Sequence, residues 1–208
     1  MSNRYARILA AGGTAALAAT LAAAPALAAT TWTIRPGGAI TAKSGTVAVK
    51  DPKTGTAITC VSSTASGTLK TGSGVPGSHV GSLSAVSVTA CGGPLIFHLQ
   101  AGGLPWHVNL SSYNAAKGAA LGTLSHLHLT LSGNGCNAMI DGTSATADDG
   151  RVTFRYTDST GQLKVLTTGG NLHWNGVSSG CLGLINDGDP VTLSGTYTVS
   201  PKQAITSP

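Results

Sequence analysis

The stretch Leu121–Cys136, LGTLSHLHLTLSGNGC, decides how the rest of the chain is read. From Thr123 to Leu131 alternate positions carry Thr123, Ser125, Leu127, Leu129 and Leu131, and the intervening set carries Leu124, His126, His128, Thr130 and Ser132. A period of two marks a half-buried strand, with the leucines mainly toward a core and the histidines and hydroxyls toward water. Gly133, Asn134 and Gly135 then break the strand, and Cys136 opens the next segment, as in an antiparallel turn followed by a covalent anchor.

Working outward, the same grammar recurs. Trp32–Ile34, Thr46–Val49, Ala57–Lys70, Ser82–Cys91, Leu95–Gln100, Trp106–Leu110, Gln162–Thr167, Leu172–Val177 and Val191–Val199 read as strands separated by Gly, Pro, Asn and Asp. Gly72–Gly81 reads as a loop, and the Ala-rich Asn114–Leu121 as a helical turn or loop. Cys136–Thr146 and Arg151–Asp158 flank Asp148-Asp149-Gly150, which has the chemistry of a hairpin turn. The pattern predicts an all-β fold, an antiparallel β-sandwich or partly closed barrel of about ten to twelve short strands. All nine prolines fall in the N-terminal segment, in turns or near the end, as ladder hydrogen bonding requires.

The first residues set the expected compartment. Arg4 and Arg7 precede a charge-free Ala/Leu-rich run from Ile8 to Leu27, and Ala26-Leu27-Ala28 has the small alternate residues of a cleavage site. Residues 1–28 therefore read as a secretory signal peptide, and 29–208 as a single β domain. Cys60, Cys91, Cys136 and Cys181 then form an even set in an exported chain, for which disulfides are the default. Three pairings are possible. Cys60 with Cys91 and Cys136 with Cys181 is favoured, because each bridge would then tie neighbours within its own half of the chain. The absence of C-x-x-C disfavours a metal or redox role for these thiols.

Composition narrows the partners. The chain carries 12 Lys and Arg against 7 Asp and no Glu; two arginines leave with the signal, so the mature balance is 10 − 7 = +3. The basic residues are scattered with no cluster and little aromatic interleaving, which argues against nucleic acid. Charged residues are only 9 % of the chain, so solubility rests on Ser, Thr, Asn and Gly. With the signal removed nothing is expected to span a membrane, while association with the cell envelope or with itself stays open. No cofactor is implied.

Side chains with chemical potential each have a plainer reading. His126 and His128 leave one strand, and a third imidazole from His98, His107 or His173 would complete a nitrogen-donor metal site. All five histidines also follow a surface pattern of alternation with an apolar neighbour, so no metal is assigned. Gly176-Val177-Ser178-Ser179-Gly180 has the letters of a nucleophile elbow without its strand-to-helix context. Asp148-Asp149 and Asp187-Gly188-Asp189 read as turn residues ahead of calcium ligands. Asn109-Leu110-Ser111 is a formal glycosylation sequon.

The segments AGGLPWHVN (Ala101–Asn109), LSGNGCNAMIDGTSATADDG (Leu131–Gly150) and SGCLGLINDGDPVTLSGTYTVSP (Ser179–Pro201), with the two long-spaced cysteine pairs, resemble a group of uncharacterised secreted all-β proteins of actinobacteria. The resemblance implies export and a sheet-only build, and it transfers no catalytic residue. The function expected is that of an exported, non-enzymatic protein with a binding, adhesive or cell-exterior structural role. The alternative is a carrier of a small apolar ligand held between sheets and lined by Phe97, Trp106 and Trp174. A cavity of several hundred Å3 favours the carrier on the usual scale of ligand pockets. A filled core with an unpaired strand edge favours assembly.

Overall fold

A computed structural model describes residues 31–143 and 148–207. The segment expected to be a signal, residues 1–28, lies outside them. In chain order the strands are β1 (Thr31–Arg35), β2 (Gly38–Ser44), β3 (Val47–Lys50), β4 (Ala57–Leu69), β5 (Gly72–Pro76), β6 (Gly81–Gly92), β7 (Ile96–Gly102) and β8 (Trp106–Asn114). They continue with β9 (Ala119–Gly133), β10 (Cys136–Asp141), β11 (Gly150–Thr157), β12 (Gln162–Leu166), β13 (His173–Asn175), β14 (Thr192–Ser200) and β15 (Ala204–Thr206). Helical structure among the described residues is limited to two 3-10 turns, Ala115–Lys117 and Ser179–Cys181. No helix among these residues is long and apolar enough to cross a membrane.

Eight strands close an antiparallel barrel in the order β11, β12, β14, β2, β4, β6, β8, β9 and back to β11. β9 is the strand on which the ring closes. Its first half pairs with β8 on one edge and β11 on the other, and its second half pairs with β7 and β10. The registers place β7 and β8 end to end along one edge of β9, and β10 and β11 end to end along the other. The second half of β9 thereby leaves the barrel and becomes the centre of a second sheet, β7–β9–β10–β13. A third sheet, β15–β1–β5, brings Gln203 and Ile205 to the lumen.

A bulge makes this double membership possible. Leu127 pairs with Gly150 and Ser125 with Arg151, so His126 is the extra residue, at φ +63°. The inward set runs Ala120, Gly122 and Leu124 before the bulge and Leu127, Leu129 and Leu131 after it. Strict alternation over Thr123–Leu131, read as a single face, is corrected here: the face changes phase at His126, and Leu124 is buried with the other leucines. β-Bulges insert one residue, bend the strand and raise its twist, which is what a strand shared by two sheets needs.

Three further expectations change. Asp148-Asp149-Gly150 is not a hairpin turn, because β10 and β11 lie along the same edge of β9 and do not pair with each other. Gly72–Pro76, read as loop, forms β5 against β1. β2 and β15 add to the strands anticipated, and the barrel closes in full.

Both disulfides form as expected, Cys60–Cys91 and Cys136–Cys181, and no free cysteine remains among the described residues. Such usage fits an oxidising compartment. Cys60 and Cys91 are direct partners in the β4–β6 ladder, so this bridge clamps the barrel wall. Cys136–Cys181 ties the start of β10 to the 3-10 turn Ser179–Cys181. The bridges enclose 31 and 45 residues in sequence. The chain-entropy account gives roughly 3.5 to 4 kcal/mol each as an upper figure. Replacing Cys60 and Cys91 together by alanine is expected to lower the free energy of unfolding by about 3 kcal/mol in urea titration while keeping the far-ultraviolet β signature.

Candidate ligand site in the barrel lumen

An eight-stranded barrel has an interior that side chains just fill, or that admits one small ligand. Here the inward positions are mostly Val, Leu and Ile, with Ala42 on β2 as one of the small ones, and they leave a cavity of about 130 Å3. Phe154, Val88, Leu163, Val165 and Val199 line it, and no charged residue does. An engineered apolar cavity of about 150 Å3 stays dry and takes up benzene or xenon, so the volume suits one ring.

One end is sealed by polar contacts that consume their own donors and acceptors. The Tyr156 hydroxyl donates to the Gln203 carbonyl at 2.9 Å and accepts from the Gln203 N–H at 2.8 Å. The Gln203 side chain accepts from the Gly37 N–H at 2.9 Å and donates to the Pro201 carbonyl at 2.8 Å. Burial raises the pKa of the Tyr156 phenol, and the Gln203 backbone contact opposes the shift. Both groups stay neutral in this plug.

The wall is interrupted on one side. β6 pairs with β8 through Gly81–Leu83 and with β7 through Cys91 and Gly92, and between these ends its outer edge has no ladder partner. Val86 and Val88 lie in that interval, line the cavity and are only half-buried. A second irregularity lies opposite β14. Tyr197 pairs with Ser44 and Ser194 with Ala48, leaving Gly195 and Thr196, which pair with β12 on their other edge, without a partner on the side of the break between β2 and β3.

At that break a row of hydroxyl side chains crosses three strands. Tyr197 on β14 is opposite Ser44 on β2, which is opposite Ser63 on β4, so all three share the inward face. Ser44 is 8 % and Ser63 2 % exposed. Neither Oγ has a hydrogen-bond partner among the described residues. Burial raises the pKa of the Tyr197 phenol; the nearby Ser63 hydroxyl pulls the other way, although the Ser63 Oγ completes no well-aligned bond. Nothing in the one-dimensional pattern singled these residues out, since Ser44 and Ser63 look like ordinary strand serines.

Of the aromatics expected to line a ligand, Trp106 does so, with its indole N–H donated to the Gly102 carbonyl at 2.9 Å. Phe97 and Trp174 are instead buried in the core under the second sheet, where Trp174 is opposite Ile140.

The bulge separates the histidines read as a pair. His126 joins His107 and His79: the His79 and His107 rings stack at 4.0 Å between centroids, and the His107 and His126 rings lie 4.3 Å apart. His128 instead points its Nδ1 at Asp141 Oδ2, 2.9 Å away, and at Asp148 Oδ1, 3.4 Å away. These three are the group of metal-ligand type whose donor atoms converge among the described residues. Asp141 has a structural use that accounts for its burial. Its Oδ1 accepts the N–H groups of Gly142, Asp149 and Gly150 at 2.7, 3.1 and 3.0 Å, which ties the backbone just after β10 to that at the start of β11. His173 is hydrogen-bonded to the Gly142 carbonyl, and His98 sits exposed on β7.

The remaining candidates are structural. Ser178 Oγ accepts the Asn137 N–H and donates to the Gly135 carbonyl beside the Cys136–Cys181 bridge, with no strand-to-helix elbow around it. Asp149 caps Thr143, Asp187 accepts the Val177 N–H, and Asp189 pairs with Lys53 at 2.9 Å. Asn109 of the sequon accepts the His79 N–H and donates to Ser125 Oγ.

The stacked histidines give a signed pH expectation. Burial, then the His79 and His126 rings, hold the His107 imidazole below its ordinary pKa of 6.5. Such a group binds fewer protons folded than unfolded between its folded value and 6.5, so its contribution is complete above 6.5 and declines as pH falls through that window. Urea denaturation should therefore show lower stability at pH 5 than at pH 7.5, and His107→Asn should shrink the difference.

Comparison of the chain with protein-family models, with curated proteins and with solved structures found no match. The functional reading accordingly rests on the lumen.

Proposed function

We propose that the protein is an exported, non-catalytic carrier that holds one small apolar molecule inside its barrel. The observation that supports this reading is the cavity of about 130 Å3, apolar on nearly all sides and bounded by the half-buried Val86 and Val88. The volume is below the several hundred Å3 of usual ligand pockets, so the cargo is a single ring or short branched chain rather than a lipid or large chromophore. Export is supported by the two disulfides and by the leader-like residues 1–28.

The adhesive reading draws less support. The unpaired interval of β6 is bounded by ladder pairs at both ends, which makes it a window in a wall rather than a free template. The outer strands of the other sheets, β5, β13 and β15, have five, three and three residues. The exposed large hydrophobics Val61, Ile96, Leu104, Leu121 and Leu182 are spread over five separate segments.

Toluene at ten times its dissociation constant should stabilise the fold by about 1.4 kcal/mol, a rise of about 3–6 °C in thermal midpoint for a chain of this size. Ala42→Leu, which puts methyl groups into the cavity, should keep the fold and abolish that rise. A midpoint unmoved by toluene, benzene and xenon alike sinks the carrier reading.

A further inference from the structure

We infer that the lumen selects a neutral monocyclic ligand bearing one hydroxyl or carbonyl oxygen, anchored by the row Tyr197, Ser44 and Ser63. The inference rests on the carrier reading and deepens it. Ser63 and Tyr197 both line the cavity, and Ser44 stands between them in the ladder. The two serine hydroxyls are more than nine-tenths buried and unpartnered among the described residues. A buried hydroxyl left without a partner is costly, and the cost is recovered when a ligand oxygen arrives. Each hydroxyl donates one hydrogen bond and accepts others, so the row serves a ligand hydroxyl and a ligand carbonyl equally.

The same lining excludes other classes. With no Lys, Arg, His or Asp facing the cavity, a carboxylate, phosphate or ammonium would be buried without a counter-charge. A bare hydrocarbon fills the apolar part and leaves the serines as they were. The contrast with the Tyr156–Gln203 plug is physical: the Tyr156 hydroxyl and the Gln203 side chain already have partners, whereas the Ser44 and Ser63 hydroxyls have none among the described residues. The row also lies at the β2–β3 break, so a ring anchored there would extend its apolar body toward Val88, the ladder partner of Ser63.

The experiment compares p-cresol with toluene, the same skeleton with and without a hydroxyl, by calorimetric titration of the full chain and of its Ser63→Ala and Tyr197→Phe variants. Wild type should bind p-cresol about tenfold more tightly than toluene. Ser63→Ala should reduce that preference to about twofold or less, and toluene binding retained in either variant reports an intact lumen. Equal affinities in wild type, meaning that the hydroxyls are served by ordered water, overturn the anchor and leave the carrier reading standing. A preference that survives both substitutions also overturns it. Binding of toluene without p-cresol overturns the anchor alone, and failure of both compounds to bind wild type removes the carrier reading and the anchor together.

Discussion

The structure depends on one strand being shared by two sheets. β9 runs fifteen residues, and each of its edges is occupied by two strands in succession. The flanking breaks, between β7 and β8 and between β10 and β11, both fall beside the bulge at His126, where the strand bends out of the barrel. Close approach at this crossing needs glycine: a Cβ on Gly122 would sit 2.2 Å from the Asn109 carbonyl and 2.6 Å from the Phe154 ring. The Phe154 side chain takes the space that a side chain at 122 would need, and so fills the lumen beside the seam. The barrel therefore closes through β9 because residue 122 has no side chain and residue 126 is extra.

Other devices keep the bent region in place. Asp141, fully buried, gathers three backbone N–H groups on one oxygen and His128 on the other, so the break between β10 and β11 is tied at both ends by one carboxylate. Charge-assisted bonds of this kind are worth more than neutral ones, and the buried carboxylate is tolerable because its oxygens are used. The disulfides act at longer range, one across β4 and β6 and one between β10 and the turn at Ser179–Cys181. With only 9 % charged residues, the chain relies on these few anchors rather than on surface ion pairs.

Much of this was legible in the residues. Alternation located β4, β6, β8, β9, β11, β12 and β14, and the placing of each cysteine beside a strand in its own half of the chain paired them. β2 escaped because Gly38-Ala39-Ile40-Thr41-Ala42-Lys43-Ser44 has only one large apolar side chain, and β5 because its glycines look like a loop. Asp148-Asp149-Gly150 misled for a different reason: turn chemistry is local, and whether the flanking strands pair with each other or line up beside a third is decided by distant partners. The bulge did leave a trace. Leu124 and Leu127 are three apart inside a period of two, which requires an inserted residue if both are to be buried. That same slip separates His126 from His128. The hydroxyl row had no trace at all, since Tyr197, Ser44 and Ser63 are brought together only by the β14–β2–β4 ladder.

The cavity itself is evidence about use. Empty apolar volume costs roughly 24 cal/mol per Å3 in buried cores, so a void of about 130 Å3 forgoes about 3 kcal/mol. That is comparable to the upper figure for either disulfide, in a class of proteins whose net stability is about 5 to 15 kcal/mol. Recovering it is chemically simple, because Ala42 faces the space and a larger aliphatic residue there would occupy it. The chain instead keeps two crosslinks outside the lumen, a self-satisfied plug at Tyr156 and Gln203, and unpartnered hydroxyls within. Stability supplied from the walls while the interior stays underfilled is what the proposed carrier role requires.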